Sequence, residues 1–211
     1  MSAIEAVICD WGGVLTSPLV ESFRAFQEAS GMPLEALGRA MAASAEREGA
    51  HPLFELETGR LSEREFLAGL ERGLRAELGR EVDMSGFADS YFAGLRPNED
   101  MIDYARRLRE RGIRMAILTN NVREWDSRWR AMLPVDDIFE LVVDSAHVGM
   151  RKPEPGIYEL VLERLALPAG SALLVDDIEA NCVAARELGI SAVWFRDTEQ
   201  AIAEVEAALG D

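Results

Sequence analysis

Apolar positions along the chain fall into two textures. Short runs that start at Ile4, Met115, Leu141, Ala172 and Ala192 (IEAVIC, MAILT, LVV, ALLV and AVWF) are apolar and partly β-branched, the pattern of strands. Between them lie amphipathic stretches with helical spacing. Asn98 to Arg111 sets Met101, Ile102, Ala105 and Leu108 on one face, with Gly112 as a stop, and Ile157 to Leu165 is a second such stretch. Strand alternating with helix predicts an α/β fold built on a doubly wound parallel sheet. From roughly Pro18 to Leu95 the pattern becomes helix after helix. Val20, Phe23 and Phe26 mark one helix there, and Ser62 with Glu65 has capping-box spacing ahead of Phe66, Leu67, Leu70 and Leu74. This stretch is expected to be a helical insert placed just after the first strand.

The strands end on polar residues. The first runs into Asp10, the second into Thr119, Asn120 and Asn121, and the fourth into Asp176 and Asp177. Any one of these is an ordinary helix cap or turn former. Open α/β sheets, however, bind ligands outside the carboxyl ends of their strands, so these residues are expected to share one crevice. Carboxylates from two strands make a hard oxygen site suited to Mg²⁺ with an anion such as phosphate completing its shell. Gly12 and Gly13, directly after Asp10, let backbone amides approach an anion and let a carbonyl turn toward a metal.

Composition narrows the partners. The 211 residues suffice for one core with a smaller satellite. A formal net charge of −16 argues against nucleic acid and anionic membranes. No basic segment leads into an apolar one at the N-terminus, and no apolar stretch reaches the ~18 residues that span a bilayer, so a cytoplasmic location is expected. Cys9 and Cys182 form no CxxC or Cys/His cluster, which indicates neither a disulfide framework nor a zinc site. A cysteine phosphatase would need Arg six positions after the thiol, where Leu15 and Leu188 stand. Of the 22 basic residues only Lys152 is a lysine, in the stretch GMRKPEP beyond the third strand. A compact ammonium suits a confined site where a guanidinium does not.

On these residues the chain is similar to the haloacid dehalogenase-like (HAD) hydrolase superfamily, over nearly its whole length. The four motifs stand as ICDWGGVLT, ILTNN, the Lys152 loop VGMRKPEPGIY, and LLVDDIEAN. Within the superfamily, GMRKPEPGIY, LLVDDIEAN and ARELGI resemble the small sugar-phosphate phosphatases and the phosphatase domain of soluble epoxide hydrolases. The resemblance implies a Rossmann-like core of residues 1–16 and 96–211 and a helical cap of residues 17–95. It implies that Asp10 is the nucleophile and forms an aspartyl-phosphate, and that Thr119 and Lys152 bind the transferring phosphoryl group. Asp10, the Gly12 carbonyl and Asp176 or Asp177 would hold Mg²⁺. Gly12, Gly13, Asn120, Asn121 and Arg123 are the expected substrate-binding residues.

One position departs from that pattern. Phosphatases of this family usually carry a second Asp two positions after the nucleophile, as acid toward the leaving group and base toward water. Gly12 stands there. Its carbonyl can bind metal but shuttles no proton, a service worth ~10²–10⁴-fold in rate. His51 and His147, the only histidines, and a cap carboxylate are the substitutes to consider. The expected function is magnesium-dependent hydrolysis of a small phosphorylated metabolite by a monomer or homodimer. The alternatives are a noncatalytic phosphate-binding or scaffold protein and a 2-haloacid dehalogenase, which uses an Asp nucleophile without metal. Phosphonoacetaldehyde hydrolase shares the DWxG opening but needs a cap lysine, and residues 17–95 contain none. Cap residues choose the substrate, so it matters which of Glu55, Glu57, Arg60 and Trp125 point inward.

Overall fold

A computed structural model describes residues 3–210. Five strands, β1 (Ala6–Cys9), β2 (Arg114–Thr119), β3 (Leu141–Asp144), β4 (Ala172–Asp176) and β5 (Ser191–Trp194), form one parallel sheet in the order β3-β2-β1-β4-β5. The bounds move slightly from expectation. The first strand starts at Ala6 rather than Ile4, and the fifth runs Ser191–Trp194 rather than from Ala192 to Phe195.

Alternation along each strand separates two cores. Val7 and Cys9 of β1, Met115 and Ile117 of β2, and Leu173 and Val175 of β4 face the helices α6 (Glu99–Glu110) and α12 (Thr198–Leu209). Their neighbours Ala6, Ile8, Ala116, Leu118 and Leu174 face α10 (Pro155–Leu165) and α11 (Glu179–Glu187). A sheet covered on both faces explains why the strands read as unbroken apolar runs. Cys9 belongs to this core, and burial pushes its thiol up to about 12.

Five helices stand between β1 and α6: α1 (Leu19–Ser30), α2 (Leu34–Glu48), α3 (Pro52–Glu57), α4 (Glu63–Leu78) and α5 (Phe87–Ala93). α1 packs on α5 and α2 on α4. The capping box of α4 is formed in both directions: Ser62 Oγ accepts from the Glu65 amide at 3.3 Å, and Glu65 Oε2 accepts from the Ser62 amide at 3.0 Å. Short helices α7 (Asp126–Arg130), α8 (Val135–Ile138) and α9 (Ser145–Val148) fill the turns around β3. Among the described residues no helix is long and apolar enough to cross a membrane.

The chain leaves and rejoins the sheet layer at one place. Thr16 bridges to Pro97, the Ser17 amide donates to the Arg96 carbonyl at 2.7 Å, and the Asn98 amide donates to the Leu15 carbonyl at 2.9 Å. Asn98 also caps α6. Its Oδ1 accepts from the Met101 amide at 3.4 Å, while Nδ2 donates to the Val14 carbonyl at 2.9 Å and to Thr198 Oγ1 at 3.0 Å. Asn98→Ala removes a cap and unties the neck together. It is expected to lower the unfolding free energy by ~1–2 kcal/mol in urea titrations.

Candidate active site

Asp10 follows directly on the central strand β1, where its amide donates to the Val175 carbonyl at 2.9 Å. Its side chain is 10% exposed, and Oδ1 accepts from the Trp11 amide at 2.7 Å and from Lys152 Nζ at 2.9 Å. Lys152 Nζ also donates to Asp176 Oδ2 at 2.6 Å. The ammonium is therefore wedged between carboxylates from the ends of two adjacent strands. Burial opposes its charge, but Asp10 and Asp176 outweigh that and hold it protonated. Asn120, just past the end of β2, sets the lysine in place: its Oδ1 accepts from the Lys152 amide at 2.8 Å and its Nδ2 donates to the Lys152 carbonyl at 3.0 Å.

The two acids after β4 differ in their commitments. Asp176 is fully buried, and its Oδ1 accepts from the Ile178 amide and from Asn181 Nδ2, both at 2.9 Å, while Oδ2 holds Lys152. Asp177 is only partly buried, and no other described residue hydrogen-bonds its carboxylate. Its Oδ2 lies against Gly13, where an added Cβ would sit 2.2 Å away, and Gly13 has φ +79°. Both features call for glycine. Burial pushes the Asp10 carboxyl up to about 7 and that of Asp177 up to about 6, with neighbouring carboxylates adding to the effect in both and Lys152 opposing it.

Oxygens of Asp10, Asp176 and Asp177 all lie within 4.8 Å of one another. Three carboxylates face one ammonium, so the cluster carries surplus negative charge in a partly desolvated place, and its donors are all hard oxygens. That set fits a hard divalent cation such as Mg²⁺. Asp177 is its uncommitted member.

The other predicted residues distribute unevenly. Thr119 ends β2, buried, and its hydroxyl has no hydrogen-bond partner among the described residues. Asn121 lines the cavity above Asp10; its Oδ1 accepts from the Val122 amide at 2.9 Å, and its buried Nδ2 has no partner among the described residues. Gly12 also lines the cavity. It lies outside the positive-φ region, and a Cβ added there would meet the side-chain end of Leu19 at 3.0 Å. Arg123 stands apart from the cavity lining. Its guanidinium donates to the Ala146 carbonyl at 2.6 and 3.2 Å and packs against Gly59, so it ties the helical insert to α9.

Neither histidine lines the cavity. His51 stacks on Phe54 with ring centroids 4.5 Å apart, and His147 pairs with Asp126 at 3.6 Å. Of the residues in question, Glu57 of the insert and Trp125, which follows β2, line the cavity, whereas Arg60 and Glu55 pair with each other at 2.9 Å. Sequence reasoning missed Asn181 and Arg151. Asn181, five residues after Asp176, returns one helical turn later to hold it. Arg151, beside the lone lysine, donates to Glu57 Oε2 at 2.7 Å.

Comparison with known proteins places the chain among hydrolases. A family model described as haloacid dehalogenase-like hydrolase matches residues 4–189. A bifunctional epoxide hydrolase 2 from Sus scrofa is 26% identical over 220 residues, covering 99% of this chain and 39% of that protein. This chain thus spans well under half the length of that relative. Phosphatase MT3486 from Mycobacterium tuberculosis is 32% identical over 198 residues, covering 90% of this chain and 86% of its own. Among solved structures, HAD family enzyme bt-2542 from Bacteroides thetaiotaomicron, in complex with magnesium and inorganic phosphate, has a TM-score of 0.63 at 24% identity, covering 90% of this chain and 93% of that one.

The wedge of Lys152 predicts an asymmetry between substitutions. Lys152→Met leaves buried carboxylates uncompensated and is expected to lower the unfolding free energy at pH 8 by ~3–5 kcal/mol. Lys152→Arg is expected to restore little of it, because a planar fork does not fit between oxygens 2.9 and 2.6 Å from one nitrogen. Urea unfolding of the two variants in chelator-treated buffer checks this.

Proposed function

The chain belongs to the haloacid dehalogenase-like hydrolases, and from that premise we propose that it is a magnesium-dependent phosphatase of small phosphate monoesters, working through an aspartyl-phosphate on Asp10. The observation that carries the reading is the arrangement around Asp10: a carboxylate held by one ammonium, beside the uncommitted Asp177, at the floor of a cavity. The likeness to Phosphatase MT3486 along most of both chains supports it. Residues 1–16 and 96–211 form the catalytic core in this reading and 17–95 its cap; the hydrogen bonds joining 15–17 to 96–98 support that division.

A phosphate dianion and a carboxylate nucleophile repel, so positive charge must be supplied where they meet. Asp10, Asp177 and the Gly12 carbonyl would hold Mg²⁺, which when bound would supply that charge together with Lys152. Asp176 takes the supporting part, since its oxygens already carry Ile178, Asn181 and Lys152. The Thr119 hydroxyl and Asn121 Nδ2, both without partners, donate to the phosphoryl oxygens. An Asp10 oxygen bonds to phosphorus while the bond to the ester oxygen breaks, and the departing alkoxide takes its proton from water. Water then attacks phosphorus, the bond to Asp10 breaks, and inorganic phosphate leaves with the surplus proton passing to solvent. Covalent catalysis divides the hydrolysis into two easier displacements.

Position 12 bears most on the second displacement, for no carboxylate there orients the attacking water. The same gap favours a second reading, a phosphate-binding protein without turnover, and one assay separates the two. Release of phosphate from p-nitrophenyl phosphate is expected with Mg²⁺, to vanish on chelation and in Asp10→Asn. Binding of inorganic phosphate without any turnover would favour the second reading, and metal-independent release of chloride from 2-chloropropionate a dehalogenase.

If the shuttle is absent, the aspartyl-phosphate accumulates, and rapid-quench kinetics should give a burst followed by a slow steady state. Gly12→Asp is expected to raise that steady rate by ~10²-fold. The backbone at Gly12 accepts a side chain, but Leu19 occupies its place, so the gain should be fuller with Leu19→Ala in the same chain. No burst in the unaltered protein, with folded Gly12→Asp variants no faster, would mean that the proton is handled elsewhere, with Glu57 the remaining cavity acid.

A further inference from the structure

The cavity above Asp10 has a volume of about 310 Å³ and two unlike ends. Its floor is the polar cluster at the strand ends. Its walls come from the helical insert together with Val122, Trp125, Arg151 and Ile178 from outside it, and all five helices α1 to α5 send apolar side chains into it: Phe23 from α1, Met41 from α2, Leu53 from α3, Leu70 from α4 and Phe87 from α5. An apolar void costs packing energy in proportion to its volume, so a chain that keeps one leaves room for a group that recovers the loss.

The polar groups of the upper wall are few, and most are engaged. Arg151 donates to Glu57 at 2.7 Å, with both side chains about 15% exposed, and its guanidinium lies 3.9 Å from the Phe54 ring centroid. Trp125 turns its Nε1 to Glu63 Oε1 at 2.8 Å. The Tyr91 hydroxyl has no partner among the described residues. A sugar brings several hydroxyls, and each one buried without a partner is penalised. A second anionic group would need a cation, yet Lys152 is held by Asp10 and Asp176, and Arg151 by Glu57.

We infer that this cavity takes the alcohol part of the substrate and selects an apolar one: a phosphate monoester of a medium-length aliphatic or aromatic alcohol, with a single anionic group. The inference rests on the phosphatase reading for the ester and on the cavity wall for the alcohol. The cavity has room for about ten groups the size of a water molecule, at ~30 Å³ each; the phosphoryl group at its floor takes about two or three of them, so the alcohol fills the rest at roughly seven to eight carbons. Each methylene buried before that point should improve recognition about fourfold, equivalent to ~0.8 kcal/mol.

The test is a chain-length series. With Mg²⁺ present, kcat/KM is measured for n-alkyl phosphates from ethyl to dodecyl and for glucose 6-phosphate, while calorimetry gives Kd for the matching n-alkylphosphonates, which are not hydrolysed. The expected result is a gain of about fourfold per methylene that levels off near seven to eight carbons, with glucose 6-phosphate at least ~10²-fold below octyl phosphate. Met41→Trp and Leu53→Trp, at two partly buried wall positions, should move the levelling point to shorter chains. If no ester is turned over but the phosphonates show the slope, the catalytic reading fails and the cavity's selectivity stands. Glucose 6-phosphate turned over as well as octyl phosphate overturns the inference while leaving the phosphatase intact. So does the absence of any chain-length dependence in Kd, or an unmoved levelling point in both folded Trp variants.

Discussion

The ammonium of Lys152, held at 2.9 Å from Asp10 and 2.6 Å from Asp176, is the contact around which the end of the sheet is organised. Parallel pairing of β1 with β4 brings the two carboxylates side by side, since Cys9 is in register with Val175 and each acid follows. Side by side in a desolvated place they repel, and a single buried cation is what lets them stay. The cation arrives from a loop beyond β3. Asn120 grips that loop through both polar atoms of its amide, so the end of β2 sets the depth at which the lysine enters. Four strands of the sheet thus share in placing one nitrogen.

That contact leaves charge over. Two carboxylates against one ammonium already sum to a negative site, and Asp177 adds a third with no hydrogen bond from another described residue. Asp177 reaches this position only because Gly13 has no side chain and turns with φ +79°. The tight turn after β1, the bare glycine and the uncommitted acid are three aspects of one arrangement, in which backbone is cleared away so that charge can be concentrated. Such a site stores electrostatic free energy in the folded state, visible in carboxyls pushed up to about 7 and about 6 by burial and by one another.

Most of this end is legible in the sequence, because strands ending in Asp, Thr-Asn-Asn and Asp-Asp break an apolar run at defined points, and sheet topology then gathers those ends. The lone lysine is legible for a similar reason, standing out against a background of arginine. Arg123 shows where such reading stops. Its place two residues after Asn121 suggested a phosphate ligand, but its guanidinium is turned to the Ala146 carbonyl, and only the packing of the insert on α9 decides that. The insert is the hardest part for the same reason. A stripe of Phe and Leu on an amphipathic helix looks alike whether it faces a filled core or an open cavity. Glu55 and Glu57 are two residues apart, yet one pairs with Arg60 near the surface and the other with Arg151 in the cavity wall.

Gly12 joins the two halves of the molecule. The space that a side chain there would enter is filled by Leu19, the first residue of α1 and a cavity-lining residue of the insert. A carboxylate at 12 would extend the polar floor toward the wall, whereas Leu19 carries the apolar wall down toward Asp10. Glycine at this position and leucine at the start of α1 therefore act together: the boundary between charge and hydrocarbon falls directly above Asp10. A ligand that is anionic at one end and apolar immediately beyond it matches that boundary, while one with polar groups next to its phosphate would have to place them against Leu19. Gly12 can thus be understood as part of the same surface that shapes the cavity, lying where the charged floor meets apolar contact.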